Sequence, residues 1–124
     1  MNVVDSSAWL EYFAGGPNAE YFAKAIEDIP NLLVPSVKIC EVFKKVLLER
    51  GEKLALQVVA QMKTGRLVEL DEDLAIDAAR LSAAHKMPMA DSIVLATARS
   101  NAAWVWTQDN DFEGLDRVNY RSKK

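Results

Sequence analysis

Asn31-Leu32-Leu33-Val34-Pro35-Ser36-Val37-Lys38-Ile39-Cys40-Glu41-Val42-Phe43 is a short apolar run that turns, at Pro35-Ser36, into a helical pattern. The run is continuous rather than alternating, as expected of a strand covered on both faces. The helical pattern continues to Arg50 and stops at Gly51, a residue suited to a helix C-terminal cap. A strand that passes straight into a helix is the repeating step of sheets built from crossover units.

The same step recurs on either side. Asn2–Asp5 reads as a strand followed by a helix from Ser6 to Ala14, which the breaker Gly15-Gly16-Pro17 ends. Asn18 is placed to cap a helix reaching about Asp28. Beyond Gly51 another helix runs to Thr64-Gly65, and Arg66–Leu70 reads as the third strand. Asp71 to about His85 is helical, with Leu74, Ala78 and Leu81 on one face. Pro88 suits a first helical turn and opens a helix to about Asn101. Ala103–Thr107 is a fourth strand, and Arg117–Tyr120 a weaker fifth. The alternation predicts an α/β fold, one domain over residues 1–124, with a central, mostly parallel sheet of about five strands covered on both sides.

Half of the residues are apolar and 27% are charged, which supports a packed core and argues against disorder. The single cysteine, Cys40, is flanked by Ile39 and Val42-Phe43 and reads as a small buried thiol in a reducing, cytoplasmic setting. The start of the chain carries no basic segment of a signal peptide, and no apolar run is long enough to span a membrane. The net charge of −3 lacks the basic balance typical of nucleic-acid binders. Four acids account for it: without Asp5, Glu41, Asp91 and Asp109 the balance is 15 basic to 14 acidic residues.

Those four acids stand where carboxylates are costly. Asp5 closes the first strand and Asp109 follows the fourth, so both fall at the carboxyl edge of the sheet, where α/β proteins bind ligands. Taken singly, Asp5 serves equally as a cap for the helix from Ser6, and Asp109 suits the turn Gln108-Asp109-Asn110-Asp111. Glu41 lies in mid-helix on the stripe of Val37, Cys40 and Leu48; its bland alternative is a pair with Lys44 or Lys45. Asp91 lies in a first helical turn, where the dipole favours it by about 0.3–1 kcal/mol, yet its neighbours mark that end as buried. Together, the four would converge if the strands concerned are neighbours. Crowded carboxylates with no basic partner nearby in sequence suit a hard divalent cation, Mg²⁺ or Mn²⁺. Without metal, such crowding should raise some of their pKa values.

Other chemistries lack their residues. There is no Gly-rich phosphate loop. One histidine, His85, and one cysteine cannot build a zinc site, and Ser6 and Ser7 have no histidine signature nearby. Trp104 and Trp106 alternate with Val105 and read as core rather than as base-stacking platforms.

The pattern resembles the PIN-domain ribonucleases, in particular the VapC-type toxins of toxin–antitoxin pairs. The matching pieces are Val3-Val4-Asp5-Ser6-Ser7, Glu41 after Pro35-Ser36, Ala90-Asp91-Ser92-Ile93 with Ala96-Thr97-Ala98, and Thr107-Gln108-Asp109-Asn110-Asp111-Phe112. The resemblance spans nearly the whole chain. It implies a three-layer α/β/α sandwich and Mg²⁺- or Mn²⁺-dependent endonucleolytic cleavage of RNA. It also implies a homodimer and a cognate antitoxin that blocks the crevice. It carries metal ligation, direct or through water, onto Asp5, Glu41, Asp91 and Asp109, with Ser7, Thr107 and Asp111 as polar support; Asp111 alternatively caps the short turn before Phe112. Arg99, Lys44 and Lys45 are candidates for the RNA surface. Two other readings compete. A phosphoacceptor signalling domain would use Asp71 as acceptor with Asp5 and Thr107, but Lys123 and Lys124 are too terminal to supply its lysine. A catalytically inactive PIN-like interaction module is opposed by the complete acid set.

Overall fold

The computed structural model describes residues 1–124. Five strands are present: β1 (Asn2–Val4), β2 (Leu32–Pro35), β3 (Arg66–Val68), β4 (Trp104–Thr107) and β5 (Val118–Tyr120). Six helices connect them: α1 (Ser6–Ala14), α2 (Ala19–Ile26), α3 (Ser36–Arg50), α4 (Glu52–Met62), α5 (Glu72–His85) and α6 (Met89–Ser100). Two single 3₁₀ turns, Ile29–Asn31 and Asn110–Phe112, complete the chain. All strands pair in parallel, in the order β3-β2-β1-β4-β5. The sheet is therefore wholly parallel.

The strands' period of two sorts the core into two layers. Val4, Leu32 and Val34 face α1–α4, packing with Trp9, Phe22, Val42 and Met62. Val3, Leu33 and Val105 face the other way, against Val94, Leu95 and Phe112. Leu74 and Ala78 of α5 join Ile93 and Ala96 of α6 in a smaller cluster on that second side. The result is the expected α/β/α sandwich.

The order of strands fixes where a ligand can sit. From β1 the chain builds outward through β2 to β3, then crosses back to pair β4 with β1's other edge. A crevice at such a reversal opens beyond the carboxyl ends of β1 and β4.

Several local expectations need correction. Cys40 is exposed, and Leu48 is 75% exposed. The buried stripe of α3 is instead Lys38, Val42 and Val46, spaced by four residues and rotated away from Cys40, since each residue turns the helix by about 100°. Asn18 does precede α2, but its side chain caps nothing; it is buried and donates to Gln108 Oε1 at 2.7 Å and to the Ser122 carbonyl at 3.0 Å. Trp104 is 41% exposed, with the Arg117 guanidinium over its ring at 5.2 Å. Trp106 is half-buried against the first core layer and donates to Asn2 Oδ1 at 2.9 Å.

Candidate metal centre

Asp5, Asp91 and Asp109 converge at the crevice between β1 and β4: one oxygen from each carboxylate lies within 4.8 Å of the others. β1 and β4 pair directly, with Val4 opposite Trp106. This brings the residues after the two strands together, and the first turn of α6 supplies Asp91.

Asp5 occupies the N-cap position of α1, but its carboxylate makes no capping hydrogen bond. It is 1% exposed and turned to other partners. Ser7 Oγ and Thr107 Oγ1 each donate to Asp5 Oδ2 at 3.0 Å. Those two hydroxyls are themselves oriented from behind. Gln108 N donates to Ser7 Oγ at 3.1 Å, and Asp109 N donates to Thr107 Oγ1 at 2.9 Å. With an acceptor lone pair so used, each hydroxyl directs its single proton to Asp5. Ser7 and Thr107 thus fix the Asp5 carboxylate. Asp109 Oδ1 accepts from Asp111 N at 2.9 Å, so Asp109, not Asp111, caps the Asn110–Phe112 turn. The exposed Asp111 contributes its backbone N–H to that contact.

Glu41 lies outside the triad. Its side chain is 41% exposed and bonds neither Lys44 nor Lys45; Lys45 pairs with Glu49. Glu41 reaches the crevice through Lys38, whose Nζ donates to Glu41 Oε1 at 2.8 Å, and through Ser6 Oγ, 3.4 Å from Glu41 Oε2. Lys38 belongs to the site although no motif in the sequence marks it. Its side chain is 0% exposed, and Nζ lies 3.0 Å from Asp5 Oδ1 and 3.6 Å from Asp91 Oδ1. The acids therefore do have a basic partner. The legible signal was its place on the stripe of Val42 and Val46, where a solvated lysine does not belong.

Crowding shows in Asp91. Burial, then the Asp5 carboxylate, push its pKa from 3.8 up to about 7; Lys38 opposes the rise, and Asp109 and Asp111 add to it. The folded chain thus holds a proton that the unfolded chain releases above pH 4. The stability from that proton is fully present below the unfolded pKa and is lost as pH rises through 7. In EDTA, urea unfolding should show stability falling from pH 5 to pH 8, and Asp91→Asn should flatten that fall. A wild-type profile that is level over this range, or one shared by Asp91→Asn, contradicts the assignment.

The donor set suits a hard cation. It is all oxygen, and the buried Asp5 Oδ1 has no hydrogen-bond partner, with the Lys38 ammonium 3.0 Å away. Asp71, by contrast, is outside the triad, and its carboxylate caps α5 by accepting from Leu74 N at 2.9 Å. That leaves the phosphoacceptor reading without its acceptor.

Two hollows lie near the triad, and Asp109 lines the first. One of about 380 Å³ is polar and lined by Ser7, Gln108, Asp109, Asn110, Tyr120 and Lys123. A larger one of about 450 Å³ runs between α1 and α3–α4, with Leu10, Phe13, Val46, Leu54 and Val58 on its walls and Glu11, Lys45, Glu49 and Arg50 beside them. Lys123 therefore reaches the site despite its terminal position: the chain is drawn back by Arg121 N donating to the Thr107 carbonyl at 3.0 Å and by the Asn18–Ser122 bond. Arg99 lies eight residues along α6 from Asp91, about 12 Å at 1.5 Å per residue, in a separate hollow with Arg80.

The PIN domain family model matches residues 3–118, so the chain belongs to the PIN domain family. No curated protein sequence matches it. Among solved structures it is similar to a chain of a toxin–antitoxin complex from Klebsiella pneumoniae, with 19% identity, both chains covered in full and a TM-score of 0.84. It is similar to VapC20 of Mycobacterium tuberculosis, described as a sarcin–ricin loop cleaving toxin, with 17% identity over 95% of this chain and 97% of that one and a TM-score of 0.78. It is also similar to a chain of DNA-bound VapBC from Salmonella typhimurium, with 15% identity, 98% and 96% coverage and a TM-score of 0.73. No helix is long and apolar enough to cross a membrane.

Proposed function

We propose that the protein is a metal-dependent endoribonuclease, the toxin of a toxin–antitoxin pair. The observation that carries this reading is the convergence of Asp5, Asp91 and Asp109 at the reversal point of a PIN-domain sheet. The three carboxylates would hold Mg²⁺ or Mn²⁺, with Glu41 reaching the same centre through Lys38. When bound, the ion supplies Lewis acidity toward a phosphodiester and lowers the pKa of bound water. Ser7 and Thr107 keep Asp5 in one orientation, and the Asp111 backbone does the same for Asp109. The polar hollow beside Asp109 receives a nucleotide next to the scissile bond, with Lys123 at its phosphate. The groove between α1 and α3–α4 offers an apolar helix of an antitoxin a seat whose sides carry both signs of charge, Lys45 and Arg50 with Glu11 and Glu49; its fold relatives include chains of toxin–antitoxin complexes.

The direct test is incubation with structured RNA. Internal cleavage is expected with Mg²⁺ or Mn²⁺ and none with EDTA; full cleavage in EDTA overturns the mechanism. Reversing the charge at the hollow, Lys123→Glu, should weaken RNA binding about tenfold at low salt, with the gap closing as salt rises. Equal binding by both proteins would move the RNA surface elsewhere. Sedimentation equilibrium tests the homodimer: a monomer at every concentration excludes it.

A further inference from the structure

Lys38 is a charged side chain of α3 that the fold shuts off wholly from solvent. A buried ammonium costs several kcal/mol unless its partners are close and well placed. Here Nζ has Glu41 Oε1 at 2.8 Å, Asp5 Oδ1 at 3.0 Å and Asp91 Oδ1 at 3.6 Å. With two carboxylates at 3.0 Å or less and a third beside them, the geometry holds Nζ as an ammonium. Its three partners include two members of the aspartate triad, whereas Glu41 belongs only to the lysine's side.

We propose that the Lys38 ammonium is a built-in cation of the centre. It fills the position among Asp5, Glu41 and Asp91, and so leaves the Asp5–Asp91–Asp109 side for one divalent ion. The inference rests on the metal-centre reading above and gives it a stoichiometry. A pair of divalent ions about 4 Å apart, the usual two-ion arrangement, would need the space that Nζ occupies against Asp5. Glu41 then acts as a positioning residue for Lys38 and not as a ligand. The lysine has no coordination sphere to assemble, so that half of the charge compensation is present as soon as the chain folds.

Native mass spectrometry with Mn²⁺, backed by calorimetric titration, counts the ions on the folded chain. The expected result is one Mn²⁺ per wild-type chain, one in Lys38→Arg and two in Lys38→Met. Glu41→Gln should still bind one, with its Kd raised by no more than about 100-fold, the upper range for a residue that supports a ligand without touching the metal. Wild type and Glu41→Gln carry the test if Lys38→Met does not fold. Two ions on wild type, a single ion on folded Lys38→Met, or a loss well beyond about 100-fold in Glu41→Gln overturns this inference alone. No bound Mn²⁺ on any of these proteins at millimolar concentration overturns the metal-centre reading and this inference with it.

Discussion

Asp91→Asn should leave the protein folded and reduce RNA cleavage in Mg²⁺ by at least about 100-fold, the upper range for changes to residues that only support a ligand. The side chain is 7% exposed in the first turn of α6 and keeps its shape as an amide. Burial and the neighbouring Asp5 carboxylate push its pKa up to about 7, so the fold gains nothing from its negative charge. The activity should depend on that charge, because a neutral amide is a poor partner for a hard cation. Melting and cleavage measured in one buffer separate the two effects. A folded Asp91→Asn protein with wild-type cleavage, or one that merely melts earlier, would return Asp91 to the role of a helix-dipole partner.

The second large effect concerns Lys38. Lys38→Met should destabilise the metal-free protein at pH 8 by about 3–5 kcal/mol, the cost of removing one side of a buried ion pair and leaving the other charged. Asp5 carries most of that loss, since it is 1% exposed and Oδ1 has no hydrogen-bond partner, with the ammonium at 3.0 Å. Adding Asp5→Asn to Lys38→Met should therefore restore part of the stability, a non-additivity that a double-mutant cycle measures. Millimolar Mn²⁺ should also raise the melting temperature of Lys38→Met more than that of wild type. Equal stability of Lys38→Met and wild type in EDTA would show that the pairing carries no weight.

The strands were legible because apolar runs such as Leu32–Val34 end at unmistakable breakers. All five are found within two residues of the expected bounds. Their order was not legible: pairing β1 with β4 joins residues about a hundred positions apart, and no local pattern encodes that. The acids at strand ends could be placed at the correct edge of the sheet, but their partners could not be named. The error at α3 was angular. Reading its inner face from Val37 and Cys40 instead of Val42 and Val46 put Cys40 inside and overlooked Lys38. That same shift made Glu41 a candidate ligand, when it meets the crevice through the lysine one turn before it. The cap reading of Asp5 was defensible by position and fails only because two hydroxyls, from α1 and β4, claim its carboxylate. The tie of Asn18 to Ser122, which brings Lys123 to the site, is likewise a contact between distant segments.

The chain's single cysteine stands exposed on α3, next in sequence to Glu41. A thiol-reactive fluorophore would therefore attach at one defined place without mutagenesis. From there its emission should be quenched by paramagnetic Mn²⁺ in the crevice and altered by RNA laid across it, which gives a direct optical reading of occupancy that does not depend on turnover.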